Sequence, residues 1–220
     1  MTIPLLFEHP DFVIAHKSAG QLVHGDEDSL IYALQQQLEH LSPLDPVHRL
    51  DKDTSGVIVL SKVKSATAQL SILFQKRKVE KRYLAISDNK PKKKQGKIIG
   101  DMEKSRNGSY KLMRSTFSPA ITHFSSVALS HGSQSRRLFF LAPKTGKTHQ
   151  LRVALKALSS PIIGDKRYGG VQADRMYLHA YSIRFSYKNS EINVTSPILD
   201  GEYWPPLSFI NDELTKQRNI

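Results

Sequence analysis

Asp51 is the residue whose neighbours best suit it to chemistry. It lies within Val47-His48-Arg49-Leu50-Asp51-Lys52-Asp53-Thr54-Ser55-Gly56, and apolar Val57-Ile58-Val59-Leu60 follows at once. The unbroken apolar run predicts a buried strand. A polar, glycine-ended loop held by such a strand is a common way to fix a reactive side chain on a rigid scaffold. A carboxylate so held can serve as a nucleophile and split one difficult step into easier ones. Composition alone favours a plainer reading, a loop of solvated charges. The order of the residues reverses that preference.

Other candidate chemistries fall away. His48, His149 and His179 are scattered, and with no Cys and no His-x-x-Glu-His pattern they make weak metal ligands. Gly146-Lys147-Thr148 ends like a phosphate-binding loop. That motif needs a Gly five residues before its second Gly, and Leu141 stands there.

The order His48-Arg49-Leu50-Asp51, then Thr54-Ser55-Gly56, resembles the active-site motif of the RluA-like pseudouridine synthases, the ribosomal and transfer RNA type. The resemblance continues in order along the chain. Lys81-Arg82-Tyr83-Leu84-Ala85 is similar to the family's lysine-x-tyrosine strand, and Pro119 to Phe124 to a strand that follows it. Thr145-Gly146-Lys147-Thr148-His149-Gln150-Leu151-Arg152 is similar to Thr-Gly-Arg-Thr-His-Gln-Ile-Arg. Pro161 to Asp165 with Tyr168-Gly169, and then Leu178-His179-Ala180, resemble two further segments. The departures are Ser18 where a Pro is usual, Lys147 for a common Arg, and Ala154 for a frequent His. They bear on substrate contacts more than on chemistry.

The resemblance implies that Asp51 is the nucleophile, that Tyr83 packs on the target uracil and handles a proton, and that Arg152 pairs with Asp51. It implies substrate contacts from His48, Arg49, Thr54, Lys147 and His149. Physics agrees with these assignments. A guanidinium favours the ionised carboxylate and orients it. An aromatic face suits a flipped pyrimidine. Arg49 is placed to meet the phosphate backbone or fill the gap a flipped base leaves. No cofactor and no metal is required. Without the resemblance, Tyr83 would read as strand packing and Arg152 as a solvated helical residue. The alternatives are a catalytically inactive basic RNA-binding protein on the same fold, and a non-RNA hydrolase that would leave the charge unexplained.

That charge is +12, from 32 Lys and Arg against 20 acidic residues, with a pI near 9.8. Such an excess favours a polyanionic partner, nucleic acid first. A membrane surface would need a basic amphipathic helix, and none is evident. A length of 220 residues with 39% hydrophobic composition suits a single catalytic domain over 1–220 with a real core. No apolar run approaches a membrane span, and no secretory signal or preceding domain of the S4 kind is expected. The absence of cysteine favours the cytoplasm. The expected state is a monomer without an obligate protein partner.

The elements that must position these residues follow from periodicity. Phe12 to Ala15 predicts a buried strand. Asp28 or Ser29 caps a helix carrying Leu30, Leu34, Leu38 and Leu41, which Ser42-Pro43 ends. A second helix is expected over Ala66 to Lys76, with Leu70, Leu73 and Phe74 inward. Arg82 to Ile86, Thr122 to Leu129 and Arg137 to Ala142 read as strands. Lys90 to Lys97 reads as an exposed basic loop, and Gly100 to Ser109 as irregular. A helix is expected over Thr148 to Leu158, with Leu151, Leu155 and Leu158 on one face. Tyr181, Ile183, Phe185 and Tyr187 alternate with polar residues, a half-buried strand that Ile192 to Thr195 should pair. After Glu202 a short helix is expected. Strands joined by turns imply an α+β fold, a mixed and largely antiparallel sheet with flanking helices. The resemblance adds a central active-site cleft.

Overall fold

The computed structural model describes residues 2–38, 43–131 and 134–217. The elements run β1 (Leu5–Glu8), β2 (Phe12–Lys17), α1 (Leu30–Gln37), β3 (Asp45–Pro46), β4 (Ser55–Ser61), α2 (Lys64–Gln75), β5 (Glu80–Ser87) and β6 (Gln95–Gly100). They continue β7 (Met102–Lys104), β8 (Tyr110–Leu112), β9 (Ala120–His131), β10 (Gln134–Pro143), α3 (Gln150–Ala157), β11 (Leu178–Tyr187), β12 (Ser190–Thr195) and α4 (Leu207–Lys216). The chain forms two compact units, Met1–Arg82 with His179–Pro197, and Tyr83–Leu178 with Ile198–Ile220. No helix among the described residues is long and apolar enough to cross a membrane.

In the first unit β4 is buried along its whole length. It pairs antiparallel with β2 from Phe12↔Ser61 to Lys17↔Gly56. It pairs parallel with the start of β11 at His179↔Ser55 and Ala180↔Gly56. The alternating residues Ile183, Phe185 and Tyr187 join Phe12, Ile14, Val57 and Val59 in one core, which Ala66 and Leu70 of α2 complete. Leu73 and Phe74 pack against it. This is the inner face expected of α2. β12 pairs with β11 as expected.

Ser29 caps α1, its hydroxyl accepting from Tyr32 N–H at 3.3 Å. The helix is shorter than its leucine spacing suggests. Leu38 already leaves helical backbone, while Leu41 and Ser42 lie outside the described residues.

In the second unit β10 lies between β5 and β9, antiparallel to both, and β6 forms the outer edge beside β9. Two expectations are corrected here. Gln95 to Lys97 belong to β6 and not to the basic loop. These residues are exposed on an edge strand, so the segment shows no apolar alternation. Gly100 to Ser109 is not wholly irregular, because β7 pairs with β8 in a short hairpin. Strands of three residues are too short to carry a period. Among the described pairings that of β4 with β11 is parallel and the others are antiparallel, so the fold is α+β with a mixed, mainly antiparallel sheet.

Candidate active site

Asp51 sits in a tight turn closed by the Thr54 N–H, which donates to the Asp51 carbonyl at 3.1 Å. Thr54 is buried beneath the turn, Asp51 is half-buried, and Arg49, Lys52 and Asp53 are exposed. Three devices hold this turn.

The first is Lys17, at the end of β2 and wholly buried. Its ammonium donates to the carbonyls of Ser18, Gln21 and Lys52, each at 2.8 Å. An ammonium has three donors, and a charge survives burial only with such partners. Gly20 N–H also donates to the Lys52 carbonyl at 3.0 Å. The loop after β2 is thereby tied to the residue following Asp51.

The second is the junction of β4 and β11. Gly56 has φ +114, and a Cβ there would lie 2.2 Å from the Ala180 carbonyl oxygen. Only glycine tolerates both the backbone conformation and the close approach. Beside it, Ser55 Oγ lies 2.8 Å from His179 Nδ1, and His179 Nε2 lies 3.3 Å from the Ser196 carbonyl. A carbonyl requires a proton on Nε2, so in the neutral ring Nδ1 accepts from the Ser55 hydroxyl. His16 Nδ1 bonds the Ser196 hydroxyl at 2.7 Å.

The third is His48. Its Nε2 accepts the Val59 N–H of β4 at 3.0 Å, and its ring stacks on Phe74 with centroids 4.5 Å apart. Burial, with the Lys81 charge added, pushes its pKa down to about 3 against a weaker opposing bond with the Arg49 backbone. The imidazole is neutral at physiological pH, as an accepting Nε2 requires.

In the second unit Tyr83 lies half-buried on β5, opposite Leu141 of β10. The segment Thr145 to Arg152 is organised by Gln150. Its amide oxygen faces the Thr145 hydroxyl at 2.7 Å and accepts Lys147 N–H at 3.0 Å. Its amide nitrogen donates to the Ile121 carbonyl at 3.1 Å and the Thr122 hydroxyl at 2.9 Å. His149 precedes α3 in left-handed backbone, φ 56. Its Nδ1 bonds the Tyr168 hydroxyl at 2.8 Å, and its ring meets Tyr110 and Tyr168 edge-on. Lys147 is exposed and donates to Ser118 Oγ at 3.0 Å.

Arg152 is buried, at 7% exposure, where an unpartnered helical Arg would be solvated. Its Nε donates to Asp165 Oδ2 at 2.7 Å and its Nη2 to Oδ1 at 2.8 Å. The guanidinium also lies 5.0 Å from the centroid of the Tyr168 ring. Tyr168 N–H donates to Asp165 Oδ1 at 3.3 Å. Burial raises the Tyr168 pKa, so its hydroxyl keeps its proton. Among the described residues no cluster of three His, Asp or Glu could hold a metal ion.

The family described as RNA pseudouridylate synthase matches residues 11–157. The chain belongs to this family. It is 47% identical over 208 residues to an uncharacterized RNA pseudouridine synthase of Haemophilus influenzae, covering 93% of this chain and 91% of that one. It is 32% identical to a ribosomal large subunit pseudouridine synthase C of Rickettsia bellii, covering 88% of this chain and 68% of the relative. The structure of human RNA pseudouridylate synthase domain containing 4 superposes with a TM-score of 0.73 at 26% identity, covering 94% of this chain and 90% of that one.

For an RNA pseudouridine synthase the two units divide the assigned residues. His48, Arg49, Asp51 and Thr54 belong to the first, and Tyr83, Lys147, His149 and Arg152 to the second. Of the five assigned to substrate, Arg49 and Lys147 are exposed. His48 accepts a backbone N–H of β4, Thr54 closes the Asp51 turn through its own N–H, and the His149 ring bonds the Tyr168 hydroxyl. Sequence reasoning gave no role to Lys17, Gln150, Asp165 or His179, although each lies in a segment that resembles the family. The signal available for Lys17 was its place at the end of an apolar strand just ahead of Gly20.

Proposed function

We propose that the chain isomerises a specific uridine in a structured ribosomal or transfer RNA, with Asp51 as nucleophile. The observation that carries this reading is the turn bearing Asp51, fixed from beneath by Lys17, Gly56 and His48. A side chain on so constrained a backbone is preorganised for attack. The reaction breaks the N1–C1′ bond and forms C5–C1′. A proton leaves C5 and one is bound at N1, so nothing is gained or lost overall. The scheme needs no redox partner.

The remaining roles rest on the resemblance and on chemistry. Tyr83 offers an aromatic face to the uracil and a hydroxyl for proton handling. Arg152 is assigned to Asp51. A guanidinium has five N–H donors, enough for Asp165 and a second carboxylate. Arg49 and Lys147, both exposed cations, suit RNA phosphates, and the net charge of +12 supports a polyanionic substrate. The two units act as one catalytic domain, a reading that a family match spanning both supports. The protein works in the cytoplasm as a monomer.

The test is to map pseudouridine in total RNA from cells with and without the protein. The expected result is one or a few uridines whose modification disappears and returns on complementation. An unchanged map would remove the isomerase reading.

A further inference from the structure

Phe117 is 97% exposed, on a loop that is otherwise tightly held. Asp101 forms the clamp. Its carboxylate accepts Phe117 N–H at 3.0 Å through Oδ2 and Ser118 N–H at 2.8 Å through Oδ1. Its own N–H donates to the Ser115 carbonyl at 2.8 Å, and its carbonyl accepts Met113 N–H at 2.8 Å. Burial would raise the Asp101 carboxyl. The bonds from Ser115, Phe117 and Ser118 and the Lys147 charge outweigh it and leave the pKa lowered, so the clamp is ionised.

A bare aromatic ring on a braced loop does nothing for the core, because it buries almost no surface there. Its surroundings define what it fits. The Lys147 ammonium lies one residue along, bonded to Ser118 Oγ at 3.0 Å, and Arg114 is exposed three residues before. An exposed aromatic face on a loop that carries one exposed cation and bonds another suits a base with its neighbouring phosphates. The loop conformation is fixed on folding, so little ordering cost remains at binding.

We propose that Phe117 is a stacking platform for an unpaired base of the RNA substrate, beside phosphates met by Lys147 and Arg114. This rests on the RNA-modifying function proposed above and adds to it a site that reads single-stranded character. Stacking is sequence-tolerant, because every base has a π-face, so the platform selects unpaired RNA over duplex and not one base over another.

The probes are an RNA hairpin with an unpaired uridine loop and a blunt RNA duplex with equal numbers of phosphates. Phe117→Ala should lose about 5- to 150-fold in affinity for the hairpin, the worth of one stacked base. Affinity for the duplex, the salt slope and the thermal midpoint should not change. Phe117→Trp should retain hairpin affinity, and its fluorescence should be quenched when the hairpin is added. Equal hairpin affinity in wild type and Phe117→Ala would overturn the platform, as would parallel loss on both RNAs. A variant that instead loses self-association would show the ring to be a protein contact. The underlying reading fails separately, if wild-type protein leaves no pseudouridine in RNA. A wild type that modifies RNA beside an unaffected Phe117→Ala strikes Phe117 alone.

Discussion

The Arg152 guanidinium and the Asp165 carboxylate meet as a two-point fork, 2.7 and 2.8 Å across, with both side chains buried. Breaking a buried, hydrogen-bonded ion pair by removing one partner costs about 3–5 kcal/mol. Asp165→Ala and Arg152→Ala should each lose that order of stability in urea unfolding. Arg152→Lys keeps the charge but not the planar fork, so its losses in stability and turnover should fall between wild type and Arg152→Ala. Wild-type stability in Asp165→Ala would contradict the pair's structural role. Near-normal turnover by Arg152→Ala would leave the family assignment standing and remove Arg152 from the catalytic residues.

His48 predicts a pH dependence of stability. Its pKa falls from an ordinary 6.5 to about 3 in the folded chain, chiefly through burial. The unfolded state therefore binds the extra proton first. The contribution of His48 is complete above pH 6.5 and is lost as pH falls from 6.5 toward 3, by at most about 1.4 kcal/mol per pH unit. His48→Gln places an amide oxygen where Nε2 accepts Val59 N–H and removes the titration. Urea unfolding between pH 7 and 4 should show a shallower decline for the variant. Parallel declines would mean that His48 titrates normally.

Lys92, Lys93 and Lys94 form an exposed cluster whose backbone is pinned at Lys94, where the carbonyl accepts Ser126 N–H at 2.7 Å. Each phosphate they neutralise should add roughly 0.7–0.9 to the log–log salt slope of RNA binding. Changing all three to Gln should flatten that slope and weaken binding while leaving the modified uridine the same. An unchanged slope would show that the cluster is merely solvated.

Legibility in the sequence followed burial on one face. Ile183, Phe185 and Tyr187 alternate with exposed Arg184 and Ser186, and β11 runs where they predict. The Asp51 turn was readable because a polar run meets an apolar one. α3 was only half legible. Its leucines mark one face, but Gln150 and Arg152 are buried as well. What buries them is hydrogen bonding to Ile121, Thr122 and Asp165, and no periodicity reports a partner that distant in sequence. Lys17 is hidden for another reason: its partners at Ser18, Gln21 and Lys52 are backbone carbonyls, which leave no mark in the residue types. A lysine reads as solvated until three carbonyls are found around its ammonium.

The central claim is that Asp51 is the nucleophile; it is half-buried, whereas Asp53, two residues on, is exposed. The most direct measurement pairs a uridine-isomerisation assay with an RNA-binding titration for wild type, Asp51→Asn and Asp51→Ala. The account predicts that both variants bind RNA about as well as wild type and form no pseudouridine. Appreciable turnover by Asp51→Ala would contradict it.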